Sequence, residues 1–364
     1  MSGGTSTRKT GSGKAGAGEN GRGENGHGDE RDFAELLKEI NETTRVFHPP
    51  ANFDPRYANP ELLARFGIPP KPDRLTRPGE YAFWWRFFSP PLRFVTAPPR
   101  FVFLLAPGIR FNQLTSLRAG GTRYETSSNW SGGYITPKDD RVFTEIRGSW
   151  QVPTPSPPGQ PPADGDYHCS TWIGLDGQRL YHNSSLPQIG TVQSVAVVNG
   201  QANPPVASSW WQWWERGHLN PPVALPLAVK PGDLMMAELI VVNPTLVRFL
   251  IKNQTTGDFF PPFEKPPPTS TVPLTVSGAT VEWITERPKR LDRDELYRLP
   301  DYGTVLFSNC GAVAARTSGA ARLDQTLPGA KLINMFEIRE QPHRIADISV
   351  AERQGDEEVA TFFR

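Results

Sequence analysis

From about residue 125 onward, apolar and polar positions alternate in short runs separated by Gly, Pro, Asn and Asp. VFTEIRGSWQV, STWIGLDG, SSWWQWWE, LMMAELIVV, LVRFLIK, TVEWITE, TVLFSNCGAV and KLINMFEI are the clearest. A period of two with turn residues between the runs predicts β-strands. In LVRFLIKNQTTGDFF the NQTTG stretch predicts a hairpin turn between two of them. Many short antiparallel strands predict a two-sheet β-sandwich over residues 125–364. Helical spacing survives in two places. DFAELLKEINETTRV at 32–46 puts Phe33, Leu36, Leu37 and Ile40 on one face, and RDELYRL at 293–299 is a second candidate. No internal repeat is visible.

The first 124 residues have a different pattern. Residues 1–30 contain ten glycines and almost nothing apolar. Such a segment buries too little to offset its ordering entropy, so it is expected to be disordered. After the short helix, thirteen prolines fall between Pro49 and Pro107, among aromatic clusters such as YAFWWRFF. No period is evident there. The expectation for 31–124 is a helix followed by an extended arm, or propeptide, that packs on the main domain or covers a groove. Trp84, Trp85, Phe87 and Phe88 are its anchors, since leaving them exposed would create a large adhesive patch.

Charge narrows the function. Lys plus Arg number 39 and Asp plus Glu 38, a net +1 in 364 residues. That balance provides no general attraction to nucleic acid or an anionic membrane. No apolar run is long enough for a transmembrane helix, and the N-terminus shows no export signal, which leaves location open. With only Cys169 and Cys310, neither a disulfide scaffold nor a CxxC zinc site can be built. They are expected to be two separate thiols.

Common catalytic motifs are missing: GxSxG, HExxH, a phosphate-binding loop and GxGxxG. Cys169 follows His168, but neighbours on a strand point to opposite faces and would not pair. The tryptophans stand out, with eight of ten between Trp130 and Trp283. In SWWQWW, Trp210, Gln212 and Trp214 share one face and Trp211 and Trp213 the other. Either one face is core and the other lines a groove for an extended peptide or a sugar chain, or both are buried.

The ordered set SSNWSGG, VFTEIRGSWQVP, STWIGLDG, SLPQIGT, SSWWQWWE, VKPGD, NQTTG, VEWITE and YGTVLFSNC resembles the glutamic peptidases, or eqolisins. The resemblance covers about 125–364. It implies a concanavalin A-like jelly-roll sandwich and an acid-acting, pepstatin-insensitive endopeptidase. It also implies a polypeptide substrate and no cofactor or metal. The chain is expected to be a monomer without nucleic-acid or integral membrane partners. The family's catalytic glutamine corresponds to Gln188 and its glutamate to Glu286, the second acid of VEWITE. Glu282 lies four residues earlier and shares its face, so it stays open as the working acid. Trp130, Trp172, Asp176 and Gln212 correspond to positions lining the site.

These residue types suit the chemistry. A carboxylate can take a proton from the attacking water and pass it to the leaving amine. A glutamine amide, neutral at any working pH, can donate to the oxyanion. There are two departures. Val192 stands where the family often has an acid, and Gln212 replaces a glutamate. Both remove charge from the cleft, and they motivate an alternative reading: a sandwich that binds peptide or sugar without cutting. A structural surface protein with a tethering tail is a third.

Overall fold

A computed structural model describes residues 32–364, apart from 99, 107, 112–117, 120–123, 178–184, 217, 219, 271–273, 317–321 and 341–342. The Gly-rich segment 1–30 lies outside the described residues.

The longer strands are β1 (Trp130–Ile135), β2 (Val142–Gln151), β3 (Gly165–Leu175), β4 (Leu186–Val198), β5 (Val206–Trp214), β6 (Leu234–Asn243) and β7 (Leu246–Asn253). They continue with β8 (Asp258–Lys265), β9 (Val281–Glu286), β10 (Thr304–Ala315), β11 (Lys331–Glu340), β12 (His343–Arg353) and β13 (Val359–Phe363). All pair antiparallel with one another. One layer runs β5–β4–β3–β9–β1–β11. The other runs β12–β13–β10–β2–β6–β7–β8. The β11–β12 pairing joins them at one edge, so the expected sandwich is a single ladder folded over.

Alternation explains the core. On β3, Cys169, Ile173 and Leu175 face the other layer; so do Ile189 on β4, Trp211 and Trp213 on β5, and Trp283 on β9. They pack against Trp150, Met235, Phe249, Phe263 and Phe307. Two indoles tie the layers together. Trp283 Nε1 donates to the Arg147 carbonyl at 3.0 Å, and Trp150 Nε1 to Thr191 Oγ1 at 3.0 Å. The NQTTG turn forms as expected between β7 and β8. Asn253 Oδ1 accepts from the backbone N–H of Thr255 and Thr256, and Gly257 takes φ +83°.

Two expectations change. Residues 293–299 are not helical. Leu296 bridges to Lys289 and Arg298 to Tyr167, and the Arg298 carbonyl accepts from His168 N–H. Seven residues are too few to hold a helix alone, and neighbouring strands offer backbone partners. The arm, read as extended, is partly helical. Besides α1 (Phe33–Thr43) it forms α2 (Pro60–Arg65) and α3 (Pro78–Phe87). Both later helices carry Pro in the first turn, where its missing N–H costs nothing, and Asn59 Oδ1 caps α2 through Leu62 N–H at 2.8 Å. Two of the thirteen prolines, Pro60 and Pro78, thus mark helix starts.

Trp84, Phe87 and Phe88 are buried against Met236, Leu250 and Phe259 on the outer face of β6–β8, with Trp85 partly covered. Lys252 Nζ reaches back from β7 to the Phe87 carbonyl at 3.1 Å and the Ser89 carbonyl at 2.7 Å, satisfying the end of α3. The arm then turns toward the opposite layer. Ala224 N–H donates to the Val102 carbonyl, and Leu104 N–H to the Pro222 carbonyl. Ile109–Arg110 pairs with Lys289–Arg290, just beyond β9.

With α3 integral to the body, Phe88→Ala should lower stability by about 3–5 kcal/mol. Urea unfolding should stay a single transition with a lower midpoint. A wild-type midpoint would show that the arm contributes nothing to the sandwich.

Candidate active site

The outward face of the β5–β4–β3–β9–β1 layer carries the residues singled out in the sequence. Register sorts them into rows. One row reads Tyr134, Glu282, Gly174, Gln188, Gln212, crossing β1, β9, β3, β4 and β5. The next reads Gly132, Ile284, Trp172, Gly190, Trp210, and the third Trp130, Glu286, Ser170, Val192, Ser208. Gln188 therefore shares a row with Glu282, with only a glycine between them. At a strand spacing near 4.8 Å, their Cα atoms are about 10 Å apart. Glu286 is displaced from Gln188 by two strands and four residues, about 16 Å on a flat sheet.

Each group has defined partners. Gln188 Nε2 donates to Gln212 Oε1 at 2.8 Å, while Gln188 Oε1 has no hydrogen-bond partner among the described residues. Gln212 Nε2 donates to the Asn220 carbonyl at 2.5 Å, and Asn220 Nδ2 to the Trp213 carbonyl at 2.7 Å. Glu286 Oε2 accepts from Trp172 Nε1 at 2.9 Å, and the Trp172 ring meets Trp130 edge-on at 5.0 Å. Trp210 Nε1 donates to Ser170 Oγ at 3.1 Å. Glu282 is buried, and among the described residues neither carboxylate oxygen has a partner of normal hydrogen-bond geometry. Burial, then the negative charge of Asp176, pushes its pKa well above the usual range, opposed weakly by the Thr280 hydroxyl.

Asp176 lies just past β3 at φ +66°. It accepts from Ser277 N–H at 2.7 Å, Ser277 Oγ at 2.7 Å and Ala279 N–H at 2.9 Å. It thereby fixes the turn that leads into β9. Burial raises its own pKa against those bonds.

Both faces of the SWWQWW strand are buried, Trp210 and Gln212 as fully as Trp211 and Trp213. The outer face owes this partly to the arm. Phe111 stacks on Trp210 with ring centroids 3.9 Å apart and planes 23° apart. Ile109 and Phe111 join Trp130, Trp172, Leu186, Trp210, Trp214 and Ile284 in one apolar cluster. The arm thus pairs beside β5 at Phe103 and beyond β9 at Ile109–Arg110, and Ile109 and Phe111 pack on the outward face of this layer.

The site thus groups Gln188 with Gln212 and Glu282, and Glu286 with Trp172 and Trp130. Asp176 lies at the turn just before β9. Sequence reasoning missed Asn220, a loop residue in no motif, and Phe111, whose contact depends on the path of the arm. Cys169 and Cys310 are buried free thiols. Burial raises the Cys169 thiol and lowers His168 to about 4. His168 Nδ1 lies 2.6 Å from Ser194 Oγ, on the opposite face from Cys169, so the two form no dyad. Among the described residues no three His, Cys, Asp or Glu are grouped to hold a metal, and no helix is long and apolar enough to cross a membrane.

Comparison with known proteins gives the class, a hydrolase of peptide bonds with a glutamic-peptidase sandwich. The chain belongs to the Peptidase A4 family, whose model matches residues 128–359. Among solved structures it is similar to scytalido-glutamic peptidase with a transition state analog inhibitor: 16% identity, TM-score 0.49, covering 65% of this chain and 98% of that one. It is also similar to SCP-B, an eqolisin in complex with the tripeptide Ala-Ile-His, at 16% identity and TM-score 0.46, covering 65% and 98%. Aspergilloglutamic peptidase from Aspergillus niger is 18% identical with TM-score 0.40, covering 54% and 99%. Comparison with curated proteins returned no match.

The buried imidazole yields a pH prediction. Unfolded, His168 takes its proton near 6.5; folded, it does so at about 4. The unfolded chain therefore binds the extra proton first, and stability falls as pH drops through that window. The loss is complete below about 4. His168→Gln should flatten this part of the stability curve in denaturation series between pH 7 and 3.5. An unchanged slope would show that His168 is not held neutral.

Proposed function

We propose that the chain is an acid-acting, pepstatin-insensitive endopeptidase in which Gln188 and a glutamate of β9 activate a water on the concave face. The residue resemblance points to Glu286. The geometry favours Glu282, and one observation carries this: Glu282 and Gln188 occupy the same cross-strand row, with Gly174 between them. Side chains rising from that row can flank one water and one peptide carbonyl. Glu286 belongs with Trp172, whose indole N–H it accepts, and orients that ring.

In this mechanism ionised Glu282 takes a proton from water as it attacks the carbonyl carbon. The free N–H of Gln188 receives the oxyanion, a contribution of about 3–4 kcal/mol. Gln188 Oε1, without a partner among the described residues, accepts from the water and aims it. Glu282 then passes the proton to the departing amine. Because burial and Asp176 favour its protonated form, the acid limb of the pH profile should lie above that of a free glutamate. Trp130 and Trp172 line the cleft for the substrate's apolar side chains.

Glu282→Gln should abolish cleavage of a denatured protein at acid pH with pepstatin present, since an amide cannot take the proton. Glu286→Gln should retain cleavage at about a tenth or more of the wild-type rate, as expected for a residue that only orients. The reverse ranking, with circular dichroism confirming both folds, would assign the chemistry to Glu286. Full activity in both variants would sink the glutamic mechanism.

The arm bears on the same site. Gln188 is fully buried and Phe111 covers Trp210 in the next row, so displacing the segment around Phe111 would widen the access of a polypeptide to this face. Phe111→Ala removes the stack on Trp210 and should raise kcat/KM on a peptide substrate several-fold. An unchanged or lower value would show that the segment does not compete with substrate.

A further inference from the structure

We propose that Gln212 is a positioning residue that fixes which end of the Gln188 amide faces the cleft, and that it does so independently of pH because it is itself an amide. This rests on the catalytic role assigned to Gln188 above. The oxygen and nitrogen ends of a glutamine amide have nearly the same shape, so packing alone does not choose between them. Here the choice is forced from outside. The Asn220 carbonyl is backbone and can only accept, so the Gln212 NH₂ must face it, as it does at 2.5 Å. Gln212 Oε1 is then turned to Gln188 and can only accept, so Gln188 presents Nε2, at 2.8 Å. One Gln188 N–H and its Oε1 are left for the cleft, the two groups an oxyanion and an attacking water need. Asn220 is held in turn by its side-chain bond to the Trp213 carbonyl, one residue along the same strand.

A glutamate at 212 could not serve at all pH values. Ionised, it would set a carboxylate oxygen against the Asn220 carbonyl, and only its protonated form could donate there. A carboxyl at this position ties the alignment of Gln188 to acid conditions, and the amide removes that titration. The titratable groups on elements around Gln212 are Glu282 and Glu286 on β9, with Asp176 at the turn just before it. His168 lies on β3, Tyr134 on β1, and Glu215 with His218 on the loop leading to Asn220; His218 Nε2 is 3.4 Å from Glu215 Oε1. Arg110 of the arm is turned to Asp294. Gln212 spends its amide oxygen and one N–H on neutral partners instead.

The test is kcat and KM across pH 2–8 on a short peptide for wild type, Gln212→Glu, Gln212→Met and Gln188→Ala, each checked for folding by circular dichroism. Gln212→Met should lose about a hundredfold in kcat with KM nearly constant, the effect of a misaligned group. Gln212→Glu should approach wild-type kcat at the acid end and lose it at a lower pH than wild type does. A wild-type pH profile for Gln212→Glu, a wild-type kcat for Gln212→Met, or an equal loss in both at every pH would overturn the proposal. If Gln212→Met fails to fold, the Gln212→Glu profile decides alone. Wild-type kcat in Gln188→Ala would overturn the reading of the site itself, and the positioning role with it. An inactive Gln188→Ala confines any failure to Gln212.

Discussion

The arrangement depends most on the register of β3 between β9 and β4. Side chains alternate with a period of two, so a slip of one residue would drive Trp172 into the sandwich and expose Ile173 and Cys169. Packing at two glycines pins the register. A Cβ on Gly190 would lie 2.3 Å from the Thr171 carbonyl, and one on Gly148 would lie 2.8 Å from Trp283 Nε1. Trp172 can settle over β4, and Trp283 can cross to the second layer, only because those positions lack side chains. The inner indole bonds to Arg147 and Thr191 then hold the layers in phase. The outer rows inherit that phase, which is how one face gathers glutamines, glutamates and tryptophans from five strands.

The face is apolar in bulk and polar at a few points, and the indoles connect the two. Trp172 and Trp210 each bury a ring and spend the N–H on a group in the third row, the Glu286 carboxylate or the Ser170 hydroxyl. Leaving such donors unmade would cost about 1–3 kcal/mol apiece. The arm closes over this surface through Ile109, Phe111 and the pairing of Ile109–Arg110 with Lys289–Arg290. A buried Phe111 side chain contributes about 1.5–3 kcal/mol, and its stack on Trp210 about 0.5–1.5 kcal/mol. α3 is fastened more heavily, through three buried aromatics and Lys252. The arm is thus held at α3 on the outer face of β6–β8 and again at Ile109–Phe111 on the outer face of the site layer.

Much of this was legible in the sequence. The two faces of SWWQWW, the NQTTG turn and the shared face of Glu282 and Glu286 follow from a period of two. What decides between the two glutamates does not. That depends on which residue of β3 sits opposite each, and hence on pairings between segments more than a hundred residues apart. The same non-locality explains 293–299, whose helical spacing is real but loses to neighbouring strands that take up its backbone groups. In the arm the local signal was present and was read the wrong way. Asn59-Pro60 and Pro78 stand where helices begin, although no apolar period was evident around them. Asn220 left no trace, because its contribution to Gln212 is a main-chain carbonyl, which every residue type carries.

Charge in the three rows around Gln188 is sparse, and that shapes how the proposed pair behaves. With Val192 and Gln212 among them, these rows carry two carboxyl groups, Glu282 and Glu286. The second is engaged by the Trp172 indole. Burial and the charge of Asp176 favour the neutral form of the first, opposed by the Thr280 hydroxyl. Bonds to Ser277 and Ala279 favour the charged form of Asp176, so its charge is tied to the turn that starts β9. Geometry and proton affinity at Glu282 thus share one origin. The turn that sets where β9 begins, and so which glutamate joins the row of Gln188, also holds the charge that raises the pKa of that glutamate.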